Sequence, residues 1–313
     1  MYSNMKKLSC LLLFSGGLDS LLAFKILAEL GIKAYPIFFD ICFVDRKKPM
    51  KYAKLYNLPL EIIDLRKKQL KVVKNPKYGY GKNLNPCIDC KILMFKEAKK
   101  IMKEKKADFI ATGEVVGQRP FSQTRWALNL IEKETHLKGK ILRPLSAKLL
   151  KPSEIEKKKL IQSKKLLSIS GKSRKKQIAL AKKYNLKEYP SPAGGCLLTD
   201  PSFCSRLKEY LKRKIDFNCQ EIELLKLGRH FFLNHTKIVI GRNKNENQKI
   251  QKLKTNKDIL IEPIDYPGPT ALIRIYSKHE LKEKEKMIKK AKQLIKLYSK
   301  KIPPNIEPVF KIS

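Results

Sequence analysis

Acidic side chains are scarce in this chain: 29 Asp and Glu stand against 69 Lys and Arg, a formal net charge of +40. A positive field of that size, spread along the whole length, points to a polyanionic partner such as nucleic acid, whose phosphates Lys and Arg neutralise. Also missing is any apolar run long enough to cross a bilayer, so no membrane role is expected. The first strand-like segment begins within a few residues of the N-terminus and leaves no room for a leader, and a cytoplasmic location is expected. Cysteine is present at an odd count, 7, which argues against a secreted disulfide framework and leaves some thiols for reactive or metal-binding roles. His136, His230, His235 and His279 show no metal-ligand spacing, and none is placed as a general base. There is no internal repeat and no true low-complexity tract.

A chain of 313 residues can bury one large core and a second, smaller one. The first two hundred residues alternate strand-like and helix-like stretches. Strands are predicted at Lys7 to Phe14, Lys33 to Phe39, Leu60 to Asp64 and Asp108 to Thr112, and amphipathic helices at Leu18 to Leu30, Lys47 to Tyr56 and Lys91 to Lys105. That alternation predicts an α/β fold with a doubly wound parallel sheet, whose ligands collect at the C-terminal strand edge. Phe39, Thr112 and Gly113 fall on that edge. Further helical segments are expected near Ser122 to Leu130, Ser153 to Leu167 and Lys172 to Tyr184, and then at Phe203 to Lys214. Beyond lie short β-like pieces at Phe231 to Leu233, Lys237 to Gly241, Ile259 to Ile264 and Ala271 to Ile275, and a lysine-rich helix from about Glu280 to Lys300. The expected division is a domain over 1–207 and a smaller α+β domain over 208–313.

The run Leu11 to Ser20 carries the sharpest chemical signal: a continuous apolar strand enters Ser15-Gly16-Gly17-Leu18-Asp19-Ser20, and a helix follows. Gly16 and Gly17 let the backbone approach a ligand, and free N–H groups at the helix start, with the helix dipole, favour a polyphosphate. Ser15 and Ser20 add hydroxyl donors, and Asp19 is a candidate for holding Mg²⁺ on the phosphates. The Gly-Lys-Ser/Thr ending of the Walker loop is absent. Cysteines supply the second signal. Cys87 and Cys90 are two residues apart at a helix start, whose dipole is expected to lower their thiolate pKa. Cys196 stands far downstream in a glycine turn. Three thiolates can ligate a [4Fe–4S] cluster with one iron open, whereas structural zinc usually takes four protein ligands. Cys10, Cys42, Cys204 and Cys219 read as plain buried thiols.

The Ser-Gly-Gly-x-Asp-Ser loop resembles that of the PP-loop, or N-type, ATP pyrophosphatases, which cleave ATP between the α and β phosphates. Over about residues 7 to 206 the chain resembles the PP-loop tRNA sulfurtransferases, the thiouridylases. Asn85-Pro86-Cys87-Ile88-Asp89-Cys90 is similar to the Asn-Pro-x-x-x-Cys segment of the 2-thiouridine branch, and Ala193-Gly194-Gly195-Cys196 falls where that branch has its second active cysteine. Thr112-Gly113-Glu114 stands where many members read Thr-Gly-His. The resemblance implies a fold of the adenine nucleotide alpha hydrolase (HUP) type and an ATP site at Ser15, Gly16, Gly17, Asp19, Ser20, Phe39, Thr112 and Gly113. It also implies catalysis by Cys90, Cys196 and Asp19: ATP adenylates a uridine carbonyl oxygen, pyrophosphate leaves, and sulfur displaces AMP. Sulfur would come from sulfide on a cluster held by Cys87, Cys90 and Cys196, or from a persulfide on Cys196 that Cys90 resolves as a disulfide. Cys87 favours the cluster, because members with a single cysteine in this segment carry Asp there. The partners implied are tRNA and a sulfur donor, either sulfide or a persulfide carrier.

Softer expectations attach to other polar residues. Arg119 is expected on phosphate and Ser122 and Gln123 on a nucleobase; Arg143-Pro144-Leu145-Ser146 and Gly171 to Lys175 suit tRNA backbone contacts. Leu227 to Phe231, Ile240 to Lys244 and Asp265 to Thr270 resemble the turns of the small NFACT-R type of RNA-binding domain, which implies a sequence-tolerant phosphate surface. Two other functions fit the same chain: a PP-loop ligase or amidotransferase acting on a small acid, and a non-enzymatic RNA-binding factor.

Overall fold

A computed structural model describes residues 7–191, 195–277, 284–303 and 305–313. The chain forms two compact units, Met1–Thr199 and Asp200–Ser313. The division falls ahead of the helix that the sequence reading split near residue 208, so that helix lies wholly in the second unit.

In the first unit the elements run β1 (Ser9–Leu13), α1 (Leu18–Glu29), β2 (Lys33–Asp40), α2 (Lys47–Leu55), β3 (Glu61–Asp64), α3 (Arg66–Lys74), α4 (Cys87–Glu104), β4 (Phe109–Thr112), α5 (Arg125–Thr135), β5 (Ile141–Leu142), α6 (Glu154–Lys157) and α7 (Lys175–Lys183). The strands form one sheet in the order β3-β2-β1-β4-β5, and every pairing is parallel. Alternation along β1 explains why the sheet is covered on both faces. Cys10 and Leu12 point into a core with Leu21, Leu22 and Ile26 of α1, while Leu11 faces Ile92, Phe95 and Ala98 of α4. Chain order reverses at β1, between β2 and β4, which opens a crevice above the carboxyl ends of β1 and β4. This is the α/β, HUP-like sheet expected from the sequence.

The second unit holds α8 (Pro201–Lys212), α9 (Cys219–Leu225), β6 (Arg229–Leu233), β7 (Thr236–Ile240), α10 (Lys244–Lys252), β8 (Ile259–Pro263), β9 (Ala271–Ile275), α11 (Lys284–Tyr298) and β10 (Phe310–Ile312). Its sheet is antiparallel, in the order β10-β8-β9-β7-β6. Ile238, Ile240, Ile261 and Ile273 meet Met287, Ala291 and Ile295 of α11, and the alternate residues Val239, Leu260 and Leu272 meet Leu224 of α9 and Ile250 of α10. The start of the terminal helix expected from Glu280 lies outside the described residues, as do His279 and the Ala193-Gly194 pair of the cysteine turn.

One expected helix is much shorter than its polar periodicity suggests. Over Ser153 to Leu167 the chain is α-helical only in α6. Lys159 takes a left-handed φ of 53°, and the Leu160 N–H turns back to the Ile155 carbonyl at 3.0 Å, a C-terminal closure that stops the helix.

Candidate active site

A cleft of about 620 Å³ lies at the crevice between β1 and β4, and Ser15, Gly17, Asp19, Ser20, Thr112, Gly113 and Cys196 all line it. The loop after β1 is shaped by close backbone approaches. Gly16 adopts φ +70°, and a Cβ there would sit 2.6 Å from Pro49 Cα. A Cβ on Gly113 would sit 2.5 Å from the Asp19 carbonyl, so the end of β4 presses on the first turn of α1 only because residue 113 is glycine. Gly17 is the α1 N-cap and offers no side chain to its amides, which leaves the helix start open to an anion. Inside the loop the Ser20 hydroxyl donates to the Gly17 carbonyl at 2.8 Å, and the Gly17 N–H donates to Ser15 Oγ at 3.4 Å.

Charge around this loop is arranged for a polyphosphate. Lys48 at the start of α2, Arg119, Lys172 and Arg174 line the cleft together with the carboxylates of Asp19, Asp45 and Glu114, the last of them paired with Lys91 and Arg143. Burial, with the neighbouring Arg119 and Arg174 charges, pushes the Lys48 pKa down, the mark of cations crowded without enough anion. Burial raises the Asp19 carboxyl, against the lowering pull of a hydrogen bond from Gln118 Nε2 (3.1 Å) and of the Arg174 and Arg119 charges. Asp19 Oδ1 is buried and has no hydrogen-bond partner among the described residues. One carboxylate with an orphaned oxygen beside a phosphate cradle fits Mg²⁺, which takes one or two protein carboxylates and completes its shell with phosphate and water.

Phe39 packs into the core with Leu11, Ile37 and Ile110, its side chain turned to the α4 face. From that edge of the sheet the cleft receives Val44, Asp45 and Lys48 instead. Sequence reasoning missed Lys48; its place just beyond the carboxyl end of a parallel strand was the available signal.

Glu114 has a clear structural role. It is buried between Lys91 Nζ, which donates to Oε1 at 2.5 Å, and Arg143 Nε, which donates to Oε2 at 2.9 Å. Burial pushes its carboxyl up, but the Lys91 and Arg143 charges outweigh this and hold it at about 2. Lys91 also donates to the Ser122 carbonyl (2.9 Å), and Arg143 to Glu132 Oε1 (2.5 Å). Arg143 is therefore buried inside the fold and paired through Nε and Nη1, with Nη2 unpartnered among the described residues, and does not reach a tRNA backbone. Ser146 is buried likewise, donating to the Ile169 carbonyl (2.6 Å) and accepting from the Val116 N–H (3.0 Å). Gln123 does line the cleft; Ser122 is buried behind it.

The cysteines converge on the same end of the sheet. Cys87 and Cys90 open α4, and the Asp89 carboxylate between them accepts from the Lys77 and Tyr78 amides at 2.9 and 3.0 Å, fixing the preceding loop. Asn83 Nδ2 donates to the Thr199 carbonyl (2.8 Å), tethering the turn that carries Cys196. Cys90 lies close enough to Cys196 and Cys87 for their charges to disfavour its thiolate. The expected lowering of its pKa at the helix start does not occur: burial pushes the Cys90 thiol up to about 12, and the Gln69 amide, 3.8 Å away, opposes this only in part. Cys87 Sγ donates to Asn85 Oδ1 at 2.8 Å. Thiols are the right donors for iron and sulfide, but among the described residues no group of three or more His, Cys, Asp and Glu side chains is gathered so as to hold a metal ion. Cys10, Cys42 and Cys204 are buried thiols and Cys219 is half-buried.

In the second unit the basic turns are partly spent on structure. Arg242 Nε donates to both Glu246 oxygens (3.0 and 2.9 Å), whereas the Arg229 guanidinium lies 4.5 Å over the Tyr298 ring. Its core holds a polar network: Lys237 and Arg274 share Glu221, at 3.0 and 2.6 Å, and Arg274 also pairs with Asp258. No helix among the described residues is long and apolar enough to cross a membrane.

A family model described as Thiamine biosynthesis protein (ThiI) matches residues 6–177, and one described as NFACT protein RNA binding domain matches residues 228–307. No curated protein matches the chain. Among solved structures, a 4-thiouridine synthetase in complex with RNA and bound ATP is 23% identical with a TM-score of 0.37, covering 57% of this chain and 51% of that one. A predicted subunit of tRNA methyltransferase from Methanocaldococcus jannaschii is 20% identical with a TM-score of 0.31, covering 44% of this chain and 67% of that one. The chain thus spans about half the length of the synthetase, and scores this low carry no inference about activity.

Proposed function

The chain belongs to the ThiI family, whose model covers more than half of it, and on that premise we propose that it is an ATP-dependent tRNA sulfurtransferase that makes a thiolated uridine. The observation that carries the reading is that Cys196 lines the same cleft as the Ser15 to Ser20 loop, so a sulfur-carrying thiol and a polyphosphate cradle face one space. The RNA-binding domain of the second unit and the net charge of +40 support tRNA as the polyanion.

In this reading Ser15, Gly17, Ser20 and the α1 amides hold the ATP phosphates, with Thr112 and Gly113 forming the opposite wall. Asp19 is the residue that would hold Mg²⁺, which when bound neutralises phosphate charge. The uridine carbonyl oxygen bonds to the α-phosphorus, the bond to the β-phosphate oxygen breaks, and pyrophosphate leaves with the charge that the α1 amides and nearby cations stabilise. A persulfide on Cys196, loaded by a persulfide carrier, then bonds through its terminal sulfur to the activated carbon and AMP departs. The Cys90 thiolate attacks Cys196 Sγ, releasing the thiouridine and leaving a Cys90–Cys196 disulfide that a thiol reductant reopens. Burial of Cys90 suits a thiol that stays protonated until that last step. Cys87, Cys90 and Cys196 are also the three donors a [4Fe–4S] cluster would use; since they are not gathered as a ligand set, no step is derived through it.

Purified protein incubated with ATP, Mg²⁺, a persulfide carrier and unmodified tRNA should release AMP and pyrophosphate only when tRNA is present. Turnover that requires a small carboxylate and ignores tRNA would replace this reading with a ligase. Anaerobic purification yielding stoichiometric iron and acid-labile sulfide would replace the persulfide step with the cluster.

A further inference from the structure

The chain has a single tryptophan, and it stands in the open: Trp126, in the first turn of α5, is 63% exposed. At about 100° per residue, Arg125, Trp126, Asn129 and Lys133 share one arc of α5, all of them exposed, while Ala127, Leu128, Ile131 and Thr135 share the opposite, buried arc. Both acids of the helix are spent elsewhere, Glu132 on Arg143 (2.5 Å) and Glu134 on Lys77 (2.9 Å). The outer face is therefore an indole set among two cations and an amide.

This face begins at the edge of the cleft. Gln123, just ahead of the Thr124 N-cap, lines the cleft, and its nearly buried Oε1 has no hydrogen-bond partner among the described residues. The segment joining the two is fixed. The Gln123 carbonyl accepts from the Gly117 N–H (2.8 Å), its N–H donates to the Arg119 carbonyl (3.0 Å), and Thr124 Oγ1 accepts from the Ala127 N–H (3.1 Å). Three residues of chain reach about 10 Å at most, so Trp126 is held within that span of a cleft-lining backbone.

A protein partner would want an apolar surround, and the neighbours of Trp126 are Arg125, Asn129 and Lys133. Unpaired bases instead stack on an aromatic face while adjacent Lys and Arg hold the phosphates; a duplex hides its base faces. We propose that Trp126 is a stacking platform for an unpaired RNA base adjoining the nucleotide that enters the cleft, with Arg125 and Lys133 on the phosphates beside that base. This rests on the tRNA reading above and adds the form of the RNA: a strand unpaired next to the target, not a continuous helix.

As the sole tryptophan, Trp126 reports on the platform through its own emission. Full-length protein is titrated to saturation with a single-stranded oligouridylate, a blunt RNA duplex of the same length, unmodified tRNA and Mg-ATP, while anisotropy of labelled RNA follows binding independently. Emission is expected to fall by about half or more with the single strand and with tRNA, and to change little with the duplex or with ATP. Trp126→Ala should weaken the single strand about tenfold, and Trp126→Phe should recover most of that loss. Arg125→Ala should weaken it too but leave the quenching at saturation intact, a split that a merely structural role would not produce. RNA that binds without changing the emission, a duplex that quenches as strongly as the single strand, or wild-type affinity in Trp126→Ala would overturn the platform and leave the tRNA reading standing. Quenching by ATP alone would give Trp126 to the nucleotide, and emission that shifts with protein concentration alone would give the face to a second copy of the chain; either result overturns the proposal. Protein that binds no RNA would defeat the tRNA reading itself.

Discussion

Glu114 shows how one side chain holds the cleft wall together through charge. Its carboxyl stands at about 2 rather than 4.5 because Lys91 and Arg143 flank it in a buried position. A depressed carboxyl contributes stability that is fully present above about pH 4.5 and is lost as pH falls toward 2, here about 3 kcal/mol. Denaturant unfolding of the wild type should show that loss on acidification. Glu114→Gln should already be destabilised at neutral pH, by about 3–5 kcal/mol, since two cations are left without their anion, and should lose less on acidification. Cys90 makes the opposite case at the same scale, burial prevailing over a favourable dipole. In a Cys87→Ala, Cys196→Ala background its alkylation rate, followed by mass spectrometry, should go on rising with pH well past 9, and Gln69→Leu should slow it further at every pH. A plateau below pH 8.5 would mean that the helix start governs the thiol after all.

Helices and strands place these side chains, and here the sequence was most readable. The apolar run of β1, the small-residue loop and the amphipathic α1 all announced themselves, because period and glycine placement are local properties. So did four of the five strands of the second unit, β6 to β9, whereas the edge strand β10 did not. Less visible were β5, only two residues long, and α3, whose polar face hides the buried Gln69, Leu70 and Val73. Within the site, the phosphate loop could be placed at the strand edge from chain order, and Cys196 beside it from the resemblance to the thiouridylases. Lys48 could not, because its place in the cleft arises from packing of α2 against the loop, a long-range outcome. Gly113 tests that packing directly. Gly113→Ala pushes a methyl into the Asp19 backbone, so nucleotide titration should show at least a tenfold loss of ATP affinity, and unfolding a loss of about 1–3 kcal/mol.

At the scale of the whole molecule, charge decides the behaviour. With a net charge of +40, tRNA affinity measured by fluorescence anisotropy should fall about a thousandfold between about 50 and about 200 mM salt. Lys289 and Lys290 lie exposed on α11, opposite its buried Met287, Ala291 and Leu294. Replacing both with Glu should flatten that salt dependence while ATP binding stays unchanged. The sulfur and nucleotide chemistry of the first unit and the RNA-binding domain of the second serve one reaction in this account, thiolation of a tRNA base. Mass spectrometry of tRNA nucleosides tests it most directly, in cells lacking the protein and in the same cells given back the wild type or Cys196→Ala. The account predicts that one thiolated uridine disappears, returns with the wild type and stays absent with Cys196→Ala; a nucleoside profile that deletion leaves unchanged would contradict it.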